Sequence, residues 1–176
     1  MSIANFKQQL GDHGKDTKLN LSSLFGNIET SGLSQQQFYG TALALAYSLN
    51  HQQLIDTVEA EAADQIDDNV KGAAKLAATL MAMNNVYYRF VHLASDKQFA
   101  TMPAGLRMNG MANPGVAKTD FEMFSLAVSA LNGCGLCIDS HVKTLQQHDV
   151  SAQAIQSLIK LAAVLNAAKT ARVLAA

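Results

Sequence analysis

The feature of this sequence that most limits its fold is an almost unbroken succession of residues that favour helix. Ala, Leu, Gln, Met and Lys dominate the chain, and all five have high helix propensity. The two prolines, Pro103 and Pro114, lie in one short stretch. No segment shows the sustained alternation of apolar and polar residues that is typical of a strand. We therefore predict an all-α protein.

Capping signals predict where the helices of the first half begin. Ser34 is followed three residues later by Gln37, which is the pattern of a capping box. An aspartate, Asp67 or Asp68, stands before a long segment rich in Ala, Leu and Met, and aspartate is a favoured N-cap residue. The helices expected from these signals cover about 34–50, 52–66 and 67–94.

The second half is predicted to contain three helices after a connector. Residues 102–118 hold both prolines and three glycines, and we interpret them as a connector with a short helix over about 106–112. Thr119 and Glu122 again have the spacing of a capping box. The expected helices cover about 119–131, about 134–148 and Ser151 to near the C-terminus, with Asn132-Gly133 as the break between the first two.

The composition indicates one globular domain and argues against several classes of protein. The chain has 176 residues, 49% of them hydrophobic and 15% charged, with a formal net charge of -1. That length and hydrophobic content allow a sizeable core in a single domain. Scattered Lys and Arg make nucleic acid a poor partner. Without a signal-peptide pattern or a run of ~18–20 apolar residues, we expect no membrane association and a cytoplasmic location.

Two segments of the chain align without gaps and indicate an internal duplication. Residues 83–92 lie over residues 132–141, and each segment follows a stretch rich in Ala, Leu and Met. His92 falls on His141 in this alignment. We predict a duplicated helical unit within the single domain, with a first half of about 1–100 that lacks thiols and a second of about 101–176 that carries both cysteines.

The chemistry of the chain is concentrated in Cys134-Gly135-Leu136-Cys137 and in His141, one helical turn later. Residues three and four apart share one face of a helix, and the first turn of a helix favours a thiolate through its free N–H groups and its dipole. A nearby imidazole can take the thiol proton. One thiolate can then attack a peroxide or a disulfide while the other closes the Cys134–Cys137 disulfide. The spacing predicts thiol–disulfide redox chemistry.

Two features of this motif admit another interpretation. Glu122 would face His141 if the Asn132-Gly133 turn folds the preceding helix back, and it would then act as a base or an orienting group. As the last residue of a capping box it would instead bond to the backbone, which is the interpretation that the sequence alone favours. Cys134, Cys137 and His141 also supply three of the four ligands of a structural zinc site. We keep a zinc-binding structural module as the alternative function.

At these residues the chain resembles a known family. Glu122, the Cys134-to-Cys137 motif and His141 together look like the signature of the alkyl hydroperoxide reductase AhpD proteins, within the wider carboxymuconolactone decarboxylase-like superfamily. The cysteine–histidine spacing is only moderately specific by itself, whereas Glu122 and further segments make the resemblance specific. The segments that resemble the family cover nearly the whole chain and are 18–23, 83–89, 105–109, 112–115 and 125–134.

The resemblance implies an AhpD-like helical fold, an internal duplication and a homotrimer. It also implies an antioxidant enzyme, a lipoyl-dependent peroxidase that reduces alkyl hydroperoxides and re-reduces the peroxiredoxin AhpC. The electrons would come from the dihydrolipoyl group of a 2-oxoacid dehydrogenase component, with no tightly bound cofactor. By motif position, Cys137 would be the peroxidatic thiol, and Cys134 the outer, resolving thiol that forms a mixed disulfide with AhpC. Glu122 and His141 would form the proton relay.

One position departs from the pattern of the family. Well-known members carry a second histidine directly before the inner cysteine, where this chain has Leu136. That histidine is thought to join the relay, so its absence leaves the shorter path between Glu122 and His141, with room for a bridging water. We therefore expect reduced but not abolished activation of Cys137.

Overall fold

The computed structural model describes residues 1–175 and confirms the all-α prediction. No β-strand occurs within this range, and short 3₁₀ turns join several of the helices. The helices are α1 (Ile3–Gln8), α2 (Lys15–Gly26), α3 (Gln35–Leu49), α4 (Gln52–Ala62), α5 (Asp68–Leu93), α6 (Gln98–Thr101), α7 (Lys118–Leu131), α8 (Gly135–Gln147) and α9 (Ala152–Leu174).

Helices α3 and α7 form the centre of the bundle. Helix α3 packs against α4, α5, α7 and α9, and α7 also contacts α5, α8 and α9. All residues from Phe38 to Ala46 and from Asp120 to Ser129 are buried. A helix surrounded on all sides needs apolar or small residues around its whole circumference, which explains the density of Ala, Leu and Phe in both segments. Helix α8 packs mainly against α7 and α5.

Three of the predicted helix starts have the capping bonds that their sequences indicate. In the capping box of α3, the Gln37 N–H donates to Ser34 Oγ at 3.1 Å, and the Ser34 N–H donates to Gln37 Oε1 at 3.0 Å. Asp67 and Ser151 each accept a hydrogen bond from the backbone N–H three residues later, at 3.0 and 3.1 Å. These bonds satisfy N–H groups that have no partner inside the first helical turn.

The capping box predicted at Thr119 and Glu122 is wrong. Helix α7 already begins at Lys118, and Ala117 occupies the N-cap position without any side-chain capping bond. The N–H of Asp120 bonds the carbonyl of Ala117 at 3.0 Å. Thr119 is therefore the second residue of the helix, and its hydroxyl is not in a position to cap it. The side chain of Glu122 is consequently free to serve another purpose.

Two other predicted helices have different bounds in the structure. Helix α4 ends at Ala62 rather than near residue 66, and the connector has a 3₁₀ turn over Asn109–Ala112 instead of a helix over 106–112. Packing on α5 shapes this connector more than local helix propensity does. A Cβ on Gly110 would lie only 2.9 Å from a methyl carbon of Leu76, so the backbone runs directly along the surface of α5.

The predicted break between α7 and α8 is present at Asn132-Gly133. Gly133 has a φ of +67°, a left-handed conformation that glycine adopts without the strain of a Cβ. The N–H of Cys134 bonds the carbonyl of Ser129 at 3.1 Å, which closes the end of α7. Helix α8 starts at the next residue with Cys134 as its N-cap.

The two aligned segments of the predicted duplication differ in local structure. Residues 83–92 lie inside the continuous helix α5, whereas residues 132–141 include the break before α8. The division into two related halves stays a prediction. Within the part of the chain that the structure describes, no helix combines the length and the apolar character needed to cross a bilayer.

Candidate functional site

The two cysteines are bonded to each other at the start of α8. Cys134 and Cys137 form a disulfide with their Cα atoms 5.3 Å apart. Cys134 has an extended backbone conformation, as an N-cap residue does, and its sulfur accepts a hydrogen bond from the Cys137 N–H at 3.4 Å. The turn at Gly133 and the first turn of α8 therefore place both sulfurs at the end of the helix that stabilises negative charge.

The expected role of Cys134 as the outer cysteine stays a prediction, and in this oxidised form its side chain is covered. Cys134 has no exposed surface, whereas Cys137 is 8% exposed. The N-cap geometry turns the Cys134 side chain back over the first turn of α8, and the His92 ring lies beside that turn, with Cε1 3.0 Å from the Cβ position of Gly135. A partner thiol can reach Cys134 only if the groups around it move.

Glu122 and His141 form a buried pair that joins α7 to α8. His141 Nδ1 lies 2.7 Å from Glu122 Oε2, and the two side chains are 8% and 10% exposed. A buried carboxylate needs such a partner. Because Glu122 accepts a hydrogen bond from Nδ1, the neutral ring keeps its lone pair on Nε2. That nitrogen is the one available to exchange a proton with another group.

Two polar side chains of α5, one buried and one exposed, hold the α7–α8 break in place. Asn85, which is 1% exposed, donates to Ser129 Oγ at 2.9 Å and accepts from Asn132 Nδ2 at 3.0 Å. Arg89 donates to the Asn132 carbonyl at 2.7 Å. These residues were not identified from the sequence. The signal that points to them is an amide side chain on a helix face that is otherwise apolar, since buried amides are normally fully bonded.

A cavity of about 310 Å³ opens beside Cys137 and His141, and both residues line it. Its remaining walls come from α5, the connector and α8. Apart from the two site residues, the lining side chains are Met81, Asn84, Tyr88, Met108, Met111, Leu136 and Ser140. No pattern in the sequence indicates this cavity, because its walls come from three distant segments of the chain.

The alternative zinc site is not assembled in the structure. Among residues 1–175, no three His, Cys, Asp or Glu side chains are arranged to hold a metal ion. Cys134 and Cys137 are bonded to each other, and Nδ1 of His141 faces Glu122. The three residues proposed as zinc ligands therefore do not converge on one point, and this geometry gives the zinc-binding module no support.

Comparison with known proteins finds one matching family model and several relatives that share one name. The model of the carboxymuconolactone decarboxylase family matches residues 97–176, the part that carries the cysteines. A protein named alkyl hydroperoxide reductase AhpD from Rhizorhabdus wittichii is 51% identical over 170 residues, covering 97% of this chain and 96% of that protein. Proteins of the same name from Coxiella burnetii (51% identical, 93% of each chain) and Rhodopseudomonas palustris (54% identical, 94% of this chain and 90% of that one) are also similar.

Proposed function

The chain belongs to the AhpD family of alkyl hydroperoxide reductases, and on that premise we propose that it reduces organic hydroperoxides to alcohols through a dithiol–disulfide cycle. The observation that best supports this proposal is the Cys134–Cys137 disulfide beside a buried Glu122–His141 pair, with Cys137 on the wall of an open cavity. Such an arrangement provides a nucleophile, a resolving thiol and a proton carrier in one place.

In the first step the Cys137 thiolate attacks the terminal oxygen of the hydroperoxide. The O–O bond breaks, an S–O bond forms, and Cys137 is oxidised by two electrons to a sulfenic acid. The alkoxide takes up the proton that His141 has removed from the Cys137 thiol and leaves as an alcohol. Cys137 is the better placed of the two sulfurs for this role, because it lines the cavity while Cys134 is fully buried.

In the second step the Cys134 thiol attacks the sulfenic sulfur. The S–O bond breaks, water leaves, and the disulfide forms, so that one hydroperoxide and two thiols give one alcohol, one water and one disulfide. His141 accepts the thiol proton through Nε2 and returns it to the leaving oxygen. Glu122 holds the ring by its Nδ1 and stabilises the imidazolium that forms in between.

A dithiol must reduce the disulfide to complete the cycle. We assign this role to the dihydrolipoyl group of a 2-oxoacid dehydrogenase component. In this proposal the enzyme is a homotrimer, and the peroxiredoxin AhpC is a second acceptor of its electrons. A reducing compartment such as the cytoplasm suits such a cycle. A mixed disulfide through Cys134 requires that the first turn of α8 opens, because this sulfur has no exposed surface in the oxidised form.

The test is a dihydrolipoamide-driven hydroperoxide reduction assay with the wild type and two matched variants. We expect Cys137→Ser to abolish turnover. Without added dithiol, we expect Cys134→Ser to consume one equivalent of hydroperoxide and then stop, because its Cys137 sulfenic acid lacks a resolving thiol. Full turnover by Cys137→Ser would refute the proposal. Equal rates with and without AhpC would exclude a main role as an adaptor that passes electrons to AhpC.

A further inference from the structure

The two sulfurs of the disulfide are not equally accessible to an incoming thiol. Cys137 is 8% exposed and lines the cavity of about 310 Å³, whereas Cys134 has no exposed surface. Reduction of a disulfide begins when a thiolate attacks one of its sulfurs and displaces the other as a thiolate. In the oxidised form the accessible point of attack is therefore Cys137.

Cys134 occupies a position that stabilises negative charge on its sulfur. It is the N-cap residue of α8, and its sulfur accepts a hydrogen bond from the Cys137 N–H at 3.4 Å. The N-terminus of a helix favours an anion through its free N–H groups and its dipole. A sulfur whose thiolate is stabilised is the better leaving group in thiol–disulfide exchange. Access and charge stabilisation thus indicate different roles for the two sulfurs.

The ring of His92 lies against the same turn of α8. His92 belongs to the last turn of α5, and its Nδ1 and Cε1 are 3.1 and 3.0 Å from the position that a Cβ on Gly135 would occupy. Gly135 directly follows Cys134, and the ring can approach this closely because glycine has no Cβ. The side chain of His92 is exposed, so burial does not oppose a positive charge on it, and the C-terminal end of α5 favours one.

The other charged groups near this turn have partners or lie beyond it. Arg89, one turn before His92 on α5, donates to a backbone carbonyl at 2.7 Å, and Asp96 accepts from a backbone N–H at 2.9 Å. His141 is paired with a carboxylate at 2.7 Å. Asp139 lies in the second turn of α8 and is exposed to solvent. We therefore assign the positive charge beside the first turn of α8 to His92.

We propose that the reducing dithiol attacks the Cys137 sulfur through the cavity and that Cys134 leaves as a thiolate, which the N-terminus of α8 and the imidazolium of His92 stabilise. This proposal rests on the proposed function and adds the order of bond exchange to its reductive step. His92 is a positioning residue in this step, because it acts through its charge on Cys134 and takes no part in the bond exchange.

The reduction consists of two exchanges in which atoms and electrons balance. In the first, a bond forms between a donor sulfur and Cys137, the Cys134–Cys137 bond breaks, and its electron pair stays on Cys134. In the second, the other donor thiolate attacks the bound donor sulfur, the donor closes its own disulfide, and Cys137 leaves as a thiolate. The donor loses two electrons and two protons, and the two enzyme sulfurs take up both electrons and, as thiols, both protons. The mixed disulfide with AhpC through Cys134 is a separate step of the reduced enzyme.

The order of exchange is tested by trapping the mixed disulfide with a monothiol, which cannot complete the second exchange within one molecule. Oxidised wild type is exposed briefly to 2-mercaptoethanol and quenched with excess N-ethylmaleimide. Fragment-ion mass spectrometry then locates both groups on the peptide that holds the two cysteines. We expect mercaptoethanol on Cys137 and maleimide on Cys134. The reverse assignment, or equal amounts on both, would overturn the proposal. No hydroperoxide is involved, so this result and the result of the peroxidase assay are separate.

The role of His92 is tested by removing and then restoring its positive charge. The rate at which dihydrolipoamide reduces the disulfide at pH 7 is followed by mass spectrometry of samples quenched with N-ethylmaleimide. We expect His92→Gln to be reduced about three- to fivefold more slowly than the wild type, the effect of one charge near a helix terminus. His92→Lys keeps a positive charge and should stay within about 1.5-fold of the wild type. His148→Gln, at the C-cap of α8, is the control. An unchanged rate in His92→Gln, or equal slowing in both His92 variants, would contradict the assigned charge.

Discussion

At the scale of single residues, the account depends on the pair formed by Glu122 and His141. From the sequence alone a helix cap is the favoured role of Glu122, because Thr119 precedes it at capping-box spacing. The structure separates the two roles, since α7 starts before Thr119 and the Glu122 carboxylate lies 2.7 Å from the His141 ring. No local pattern contains this information, because the partner lies on another helix.

Glu122→Gln tests the pair while it keeps the shape of the side chain. The glutamine oxygen can still accept the hydrogen bond from His141 Nδ1, but it carries no charge to stabilise the imidazolium. We expect turnover to fall by a factor of about 10²–10⁴, the range of general acid–base contributions, with little change in the far-ultraviolet circular dichroism spectrum. The exposed Glu29→Gln is the control. A rate equal to the wild type would exclude Glu122 from the relay.

At the scale of elements, a helix start could be predicted where the capping residue is itself the last residue before the helix. Ser34, Asp67 and Ser151 satisfy this condition, and each makes its predicted bond. Thr119 does not, because Ala117 is the N-cap and Lys118 before Thr119 is already helical. A capping motif reports a sequence that is compatible with a helix start and does not by itself fix the first helical residue.

Two alanine substitutions measure this difference. We expect Ser34→Ala to lower the free energy of unfolding by about 1 kcal/mol, because it removes the hydroxyl that caps α3. Thr119→Ala should change it by less than about 0.5 kcal/mol, since no capping bond is lost. Urea denaturation followed by circular dichroism gives both values. A loss at Thr119 as large as that at Ser34 would show that a capping box does form in solution.

At the scale of the whole molecule, the sequence could predict the fold class, the order of most helices and the cysteine motif, but not how the helices cross. The crossing of α3 and α7 depends on Gly40, where a Cβ would lie 2.7 Å from Cε1 of the Phe124 ring and 2.9 Å from Cγ1 of Val70. The cavity beside Cys137 could not be predicted from the sequence either, because it exists only once α5, the connector and α8 are packed together.

A pair of glycine substitutions tests this packing. We expect Gly40→Ala to destabilise the protein by about 1–3 kcal/mol, the cost of overpacking a tight core. Gly72→Ala is the matched control on α5, where a Cβ would meet nothing within 4 Å. It should stabilise the protein by about 0.5–1 kcal/mol, the helix-propensity difference between the two residues. Thermal unfolding of both variants is the measurement, and equal effects would contradict the described crossing of α3 and α7.

The central claim is that one hydroperoxide converts the Cys134 and Cys137 thiols into one disulfide within the same chain. The most direct measurement adds one equivalent of cumene hydroperoxide to fully reduced protein and combines a free-thiol count with mass spectrometry of the proteolytic peptides. We predict that two thiols per chain disappear, that one equivalent of alcohol forms, and that the peptides carry a Cys134–Cys137 bond. Thiols that remain free, or disulfides that form only between chains, would contradict the account.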